Sequence, residues 1–315
     1  MRLEGIELLS LELPMRRPVI GAAEVHDRRP VVLIRYVRGD AEGWGECGAL
    51  TGPSVFDPDM RAVWSMLVSE GIPRMISACI GGGSTAISAA DVGRLVDASG
   101  GPVQRMAAAA LEMAVLDAEL RVQQMSLARW LDVETGTVAT GAVVGIPANR
   151  DRGELLADVT KAVDNGARRV RVKIAPGWDE VPAAAVRARF ATLSLQLDAN
   201  AAYRLGNDTR AVDDARRFSA LDELDITCIE QPLHPEDLAG HKLLRGMLKT
   251  PIALDESLAS LDRVREAVRT GACDVACLKP ARLGGLLQAR AAHDLCLYGG
   301  VRAFVGGLFE TGLAR

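Results

Sequence analysis

From about residue 140 onward, short apolar and β-branched runs alternate with longer stretches whose apolar positions recur at helical spacing. AVVGI, RVRVKI, LQLDAN, ITCIEQP, PIALDES, DVACLKP and RAFVGG are the short runs. RGELLADVTKAVDNG, AAAVRARFATL, RAVDDARRFSAL, LDRVREAVRTG and LLQARAAHDLCLYGG are the longer ones. Strand-length and helix-length patterns alternate in this way when βαβ crossovers build a parallel sheet, and so long a series predicts a (β/α) barrel, here with seven strands. The chain ahead of it has another rhythm. Residues 3–12 and 31–38 read as strands, GWGE at 43–46 and GPSVFDPD at 52–59 as turns, and about 60–78 and 102–122 as helices. The fold class predicted is α/β, with an α+β domain over 1–125 followed by the barrel over 126–315.

Five of the predicted strands close on an ionisable residue. Lys173 ends RVRVK, Asp198 ends LQLD, Glu230 ends ITCIE, Asp255 ends PIALD and Lys279 ends DVACLK, at intervals of 25, 32, 25 and 24 residues. A strand, a helix and two loops take about 30 residues, so the charges fall at the same end of successive strands. In a parallel barrel those ends open on the face where active sites form. Counting strands puts Lys173 on the second and Lys279 on the sixth, facing each other across the mouth. The three carboxylates lie side by side between them, and Lys173 is expected to stand exposed in that mouth. A single aspartate at a strand end is commonly a turn former or helix cap, but five charges in phase with the repeat are poor material for a core. Three adjacent carboxylates suit Mg2+, which prefers oxygen donors. Such an ion can stabilise the charge that develops when a substrate carboxylate becomes an enediolate. A lysine base has an ordinary pKa of about 10.4, and a neighbouring cation lowers it. Arg171, two residues before Lys173 and on the same strand face, can be that neighbour.

Composition narrows the picture. Apolar residues at 49% and charged residues at 25% suit a large soluble core, and a net charge of −4 without a basic tract favours neither nucleic acid nor an anionic membrane. No apolar run reaches the length needed to span a bilayer, and charges interrupt MRLEGIELLSLELP where a signal peptide would be apolar, so a cytoplasmic location is expected. The six cysteines, including the Cys273/Cys277 pair, have no zinc-like spacing and read as buried reduced thiols. Gly43, Gly45 and Gly48 spell GxGxxG, but no helix opens after them, which argues against a dinucleotide site. Trp178 reads as loop packing. His26, His234, His241 and His293 show no triad or ligand spacing, and none falls in the last strand.

VRVKIAPGWD, LQLDANAAY, IEQPL, LDES, LKPARLGG and GGLFETGLAR together resemble the enolase superfamily, and more closely its o-succinylbenzoate synthase / N-acylamino acid racemase family. EGWGEC at 42–47 and ALEMAVLDAEL at 110–120 extend the likeness over the whole chain, and KPARLGGLLQAR with GGLFETG is its most specific part. The absence of a histidine from the seventh strand separates the chain from the mandelate-racemase group. The resemblance implies an N-terminal capping domain over a modified barrel, with Lys173 and Lys279 as the acid/base pair and Asp198, Glu230 and Asp255 as ligands of one Mg2+. Arg171, Asn200 and Arg282 are assigned as supporting residues. The implied activity is o-succinylbenzoate synthesis for menaquinone, a dehydration of a cyclohexadiene carboxylate, with N-acylamino acid racemisation as a second activity. The substrate is then a small carboxylate, and a homo-oligomeric state is left open. A racemase or cycloisomerase of the superfamily is the alternative within enzymes, and a non-catalytic fragment is the alternative of another class.

Two features depart from the family pattern. Arg171-x-Lys173 replaces the usual Lys-x-Lys, and an arginine cannot serve as a base. The family also continues past GLAR with a helix, an eighth strand and a tail. Seven strands leave two unpaired edges, so this 315-residue chain is expected to be aggregation-prone, with little turnover.

Overall fold

A computed structural model describes residues 3–20, 25–39, 41–50, 56–81, 87–133, 136–206 and 209–314. The first part is a three-stranded antiparallel sheet of β1 (Leu3–Ile20), β2 (Val25–Arg38) and β3 (Ala41–Cys47), in that order. Helices α1 (Met60–Met66), α2 (Ile72–Gly81), α3 (Ala89–Leu95), α4 (Pro102–Val122) and α5 (Leu127–Trp130) follow, and a π-helical turn over Leu67–Gly71 joins α1 to α2. Alanines line α4, which lets the helix lie close to the sheet; Ala107, Ala110, Ala114 and Ala118 are all fully buried.

GWGE is a strand and not a turn. Residues 41–47 pair with β2 from Arg38↔Ala41 to Val32↔Cys47. A Cβ on Gly43 would lie 2.1 Å from the carbonyl oxygen of Ala114, and one on Gly45 would lie 2.1 Å from that of Ala110. The glycines therefore mark the close approach of a helix backbone, a use of strand glycine that looks like turn chemistry in one dimension. The first two strands also run beyond the predicted 3–12 and 31–38. Pro14 and its neighbours, which suggest a strand end, are taken up by a register shift between Pro14 and Val19. The predicted GPSVFDPD turn falls partly outside the described residues.

The second part is one parallel sheet of β4 (Gly141–Val144), β5 (Arg169–Lys173), β6 (Ser194–Asp198), β7 (Cys228–Glu230), β8 (Ile252–Leu254), β9 (Val275–Leu278) and β10 (Arg302–Val305). Each strand pairs with its neighbours in sequence, so the sheet curls as a seven-stranded half-barrel with β4 and β10 at its edges. The strand count agrees with the sequence, and the AVVGI run pairs over Gly141–Val144. The covering helices are α6 (Arg152–Asp164), α7 (Glu180–Arg189), α8 (Thr209–Asp222), α9 (Leu238–Met247) and α10 (Leu261–Thr270), then a short α11 (Pro280–Leu283) and α12 (Leu286–Tyr298). Asp151 caps α6 and Asp237 caps α9, their carboxylates accepting from the Glu154 and Gly240 amides at 2.7 Å. Outward residues such as Val170, Val172, Leu195 and Leu197 pack on Leu155, Val159 and Val186 of those helices. The intervening residues face the inside of the curl. Among the described residues no helix is long and apolar enough to cross a membrane. All six cysteines are free and five are buried, with Cys79 half-buried.

Polar bridges tie the two parts together. Arg29 of β2 donates to the Phe309 carbonyl at 2.9 Å, and Glu46 of β3 accepts from the Thr311 hydroxyl at 2.6 Å. Glu112, in the middle of α4, accepts from the Leu287 amide at 3.1 Å and so caps α12. Gly285, at φ +130°, leaves room for that carboxylate, since a Cβ there would sit 2.4 Å from it. Burial pushes the Glu112 carboxyl from 4.5 up to about 7, against the pull of the Leu287 and Leu286 amides. The folded chain then holds this proton more firmly than the unfolded chain, so stability falls as pH rises through that interval. Glu112→Gln keeps an acceptor for Leu287 and removes the titration. Between pH 5 and 8 the unchanged protein should lose roughly 1–3 kcal/mol more unfolding free energy than the variant. Equal pH slopes in urea denaturation of the two would rule this out.

Candidate active site

All five charged strand ends lie at one end of the parallel sheet. Lys173, Asp198 and Glu230 are lateral partners on β5, β6 and β7. Asp255 directly follows β8 and Lys279 directly follows β9. Lys173 Nζ donates to Asp198 Oδ2 at 2.9 Å and to Asn200 Oδ1 at 2.6 Å. Lys279 Nζ donates to Asp255 Oδ2 at 2.8 Å. The two ammonium groups thus flank a row of carboxylates, each held by the acid next to it. Lys173 is not the exposed mouth residue expected from its position, since its side chain is only 15% exposed. Its two acceptors draw it down onto the sheet end.

Arginines fill the remaining contacts. Arg171 donates to Glu230 Oε1 at 2.9 Å while its guanidinium lies over the Phe304 ring at 4.8 Å. Arg282 donates to Asp255 Oδ1 at 2.6 Å and grips both oxygens of Asp57 at 2.8 Å, joining the sheet end to the N-terminal part. Asn200, at φ +42°, also donates through Nδ2 to Glu256 Oε1 at 3.0 Å. Every residue assigned from the sequence, Arg171, Asn200 and Arg282 included, therefore belongs to one connected cluster.

Burial makes the acids unequal. For Asp255, desolvation alone would raise the carboxyl, but Lys279 and Arg282 outweigh it and hold the group well below the usual range. The same contact works on Lys279, whose ammonium is held above its ordinary value despite burial. Glu230 is pushed the other way, by burial first and then by Asp198, well above the usual carboxylate range in spite of Arg171. Burial, then Asp255 and Asp198, push Glu256 up to about 7. Glu230 Oε2 and Glu256 Oε2 are buried and have no hydrogen-bond partner among the described residues. Buried oxygens of this kind are costly unless something answers them. Four crowded carboxylates with two orphaned oxygens fit a hard divalent cation, and Asp198, Glu230 and Asp255 offer it oxygen donors without histidine. Among the described residues one group of three donors lies within 4.8 Å of one another, Glu230, Asp255 and Cys277; Asp198 is turned toward Lys173 and the Asn200 amide.

The chain matches two family models. Residues 6–131 match the mandelate racemase / muconate lactonizing enzyme N-terminal domain, and residues 154–315 match the enolase C-terminal domain-like family. An N-succinylamino acid racemase of an Amycolatopsis species is 39% identical over all of this chain and 81% of its own length. The o-succinylbenzoate synthase of Geobacillus kaustophilus is 34% identical over 99% of this chain and 79% of its own, and that of Bacillus subtilis is 32% identical over 99% and 80%. The chain belongs to the o-succinylbenzoate synthase / N-acylamino acid racemase family of the enolase superfamily. A solved structure described as a probable mandelate racemase of Alicyclobacillus acidocaldarius superposes with a TM-score of 0.88 at 33% identity, covering 99% of this chain and 79% of that one. An epimerase of Bacillus subtilis shares the fold, with a TM-score of 0.85 at 23% identity, covering 100% and 84%.

Sequence reasoning overlooked Glu256, Gln231, Asp57 and Cys277. Glu256 follows Asp255 directly, and strand alternation would turn it away from the mouth; it returns because β8 has already ended. Gln231, in the IEQPL motif of this family, is fully buried at φ +41°. Its Oε1 accepts from the Asp255 amide at 2.9 Å and the Ser257 amide at 3.1 Å, and its Nε2 donates to the Leu233 carbonyl at 3.0 Å and the Ser257 hydroxyl at 2.8 Å. One amide side chain thereby fixes the backbone that carries Asp255 beside Glu230. Gln231→Leu leaves two buried amide donors unanswered. At about 1–3 kcal/mol for each, unfolding free energy should drop by roughly 2–5 kcal/mol, read from the urea midpoint. A drop below about 0.5 kcal/mol would show that the clamp is not needed.

Proposed function

We propose that the chain is an o-succinylbenzoate synthase that depends on one divalent cation, Mg2+ by the hardness of its donors. The observation that carries this reading is the placement of two lysines on either side of Glu230, each hydrogen-bonded to a different aspartate at the same end of the sheet. Asp198, Glu230 and Asp255 would hold the ion, whose charge stabilises the enediolate form of a bound carboxylate and competes with the lysines for Asp198 and Asp255. Lys173 Nζ takes the proton from the carbon next to the substrate carboxylate, and Asn200 orients that amine. Loss of the neighbouring hydroxyl, which leaves as water after taking up a proton, aromatises the ring. Lys279, on the far side of the carboxylate row, lends its charge to the anionic intermediate, and Arg282 keeps Asp255 and Lys279 in place from behind.

A second reading, racemisation of N-succinylamino acids, is favoured by the 39% identity to the Amycolatopsis racemase. The same pair supports it, with one lysine removing the α-proton and the other returning one to the opposite face. The substrate in either case is a small carboxylate.

Lys173→Ala removes the proposed base. Exchange of the substrate α-proton with deuterium oxide, followed by NMR, should fall by at least about 10²-fold, the range of general-base catalysis. Exchange at the unchanged rate would remove Lys173 from this role. Exhaustive chelation with EDTA should abolish turnover of both substrate classes, and added Mg2+ should restore it. Turnover that survives chelation would sink the cation-dependent mechanism.

A further inference from the structure

Cys277 has no part in the reaction as proposed, yet its sulfur lies among the acids. One donor atom from each of Glu230, Asp255 and Cys277 falls within 4.8 Å of the others, and all three residues are buried. Cys277 lies on β9 two residues before Lys279, and both side chains reach the same glycine, since a Cβ on Gly306 would lie 2.5 Å from Cys277 Sγ and 3.1 Å from Lys279 Cε. The ladder pairs it with Phe304 on one side, and one step beyond Leu254↔Ala276 it stands beside Asp255 on the other. A further observation points to a ligand. Glu230 Oε2 is buried without a hydrogen-bond partner among the described residues.

We propose that the Cys277 sulfur is a donor of the cation site, alongside Glu230 and Asp255, and gives this site an affinity for softer divalent ions that an all-oxygen set lacks. The inference rests on the reading that these carboxylates hold a cation. Three oxygen and sulfur donors spread around one ion, at about 2.1 and 2.3 Å from it, lie about 3.4–3.8 Å apart, so a set within 4.8 Å closes onto the ion by about 1 Å at most at each pair. Thiolates select ions such as Co2+, Zn2+ and Cd2+, whereas Mg2+ is indifferent to them. Binding exchanges the thiol proton for a metal–sulfur bond. The S–H bond breaks, its electron pair stays on sulfur and is donated to the ion, and one proton leaves to solvent.

The test is a Co2+ titration of the whole chain after removal of metals, followed by absorption, with Mg2+ affinity measured by calorimetry. The unchanged protein should bind one Co2+ and show a near-ultraviolet sulfur-to-cobalt charge-transfer band. Cys277→Ser should lose that band and bind Co2+ at least about 10-fold more weakly, while its Mg2+ affinity changes less than about threefold. Cys273→Ser, which alters another buried thiol, should keep the band. Stoichiometric Co2+ binding without the band, or a band unchanged in Cys277→Ser, overturns the role of Cys277 and leaves the cation reading standing. Failure of both Co2+ and Mg2+ to bind overturns the cation reading itself, and this inference with it. Should Cys277→Ser not fold, cadmium NMR of the unchanged protein decides, because a sulfur ligand shifts the resonance far from the all-oxygen range.

Discussion

Four carboxylates removed from water at one end of a sheet impose the constraint that the rest of the site obeys. Asp198, Glu230, Asp255 and Glu256 are all buried. An ionised carboxylate taken into a medium of low dielectric without a partner costs more than the roughly 5–15 kcal/mol by which a domain is stable. Each therefore has an answer built from another segment of the chain. Asp198 has Lys173, Asp255 has Lys279 and Arg282, one oxygen of Glu230 has Arg171, and one oxygen of Glu256 has the Asn200 side-chain amide. The answers are incomplete by two oxygens, one on Glu230 and one on Glu256. A site arranged only for stability would have no reason to leave them, since replacing buried ion pairs by apolar groups is often neutral or stabilising. The deficit is a reason to read the cluster as a place for added positive charge.

The geometry that gathers these charges comes from the two-residue period of the strands. On β5, Val170 and Val172 turn outward into the helix layer, and the same alternation sends Arg169, Arg171 and Lys173 inward in rising order. Phe304, on the far edge strand, lies over both guanidiniums, 5.3 Å from Arg169 and 4.8 Å from Arg171. Cation–π contacts of this kind give the arginines an apolar seat that a bare ammonium would use less well. The N-terminal part enters the same network through Asp57, whose carboxyl is held low by Arg282 against the effect of burial. The helical core beneath its sheet also takes in Leu308 from the segment after β10. Position in the mouth is thus coupled to the N-terminal part by charge on one side and by apolar packing on the other.

Much of this could be read in one dimension because barrel strands are short and end abruptly. A charge that closes an apolar run, as Glu230 closes ITCIE, has no other place to go than the sheet end, so Lys173, Asp198, Glu230, Asp255 and Lys279 were legible as a set. Their depth was not. Burial depends on what covers a strand end, and Asn200 drawing in Lys173 is a contact across 27 residues that leaves no local pattern. Glu256 and Gln231 were hidden for a related reason. Both lie just past a strand, where period-two alternation stops describing direction, and Gln231 reaches its place through a left-handed backbone that glutamine seldom adopts. The third strand was misread because glycine serves both turns and close packing, and only α4 lying against Gly43 and Gly45 tells the two apart.

An arginine, Arg171, stands where the family usually has a second lysine. Arg171 is fixed from three directions, by Glu230 at 2.9 Å, by the ring of Phe304 and by the strand that carries it. A lysine in that position could take either protonation state and compete with its neighbour for a substrate proton. A guanidinium cannot, since it stays charged at any pH a folded protein survives. On β5, then, a permanent charge sits one layer beneath a single amine, and the two tasks that paired lysines could share are divided between them. Arg171 holds the carboxylate of Glu230 in place, and Lys173 is left as the one side chain on this strand whose proton can move.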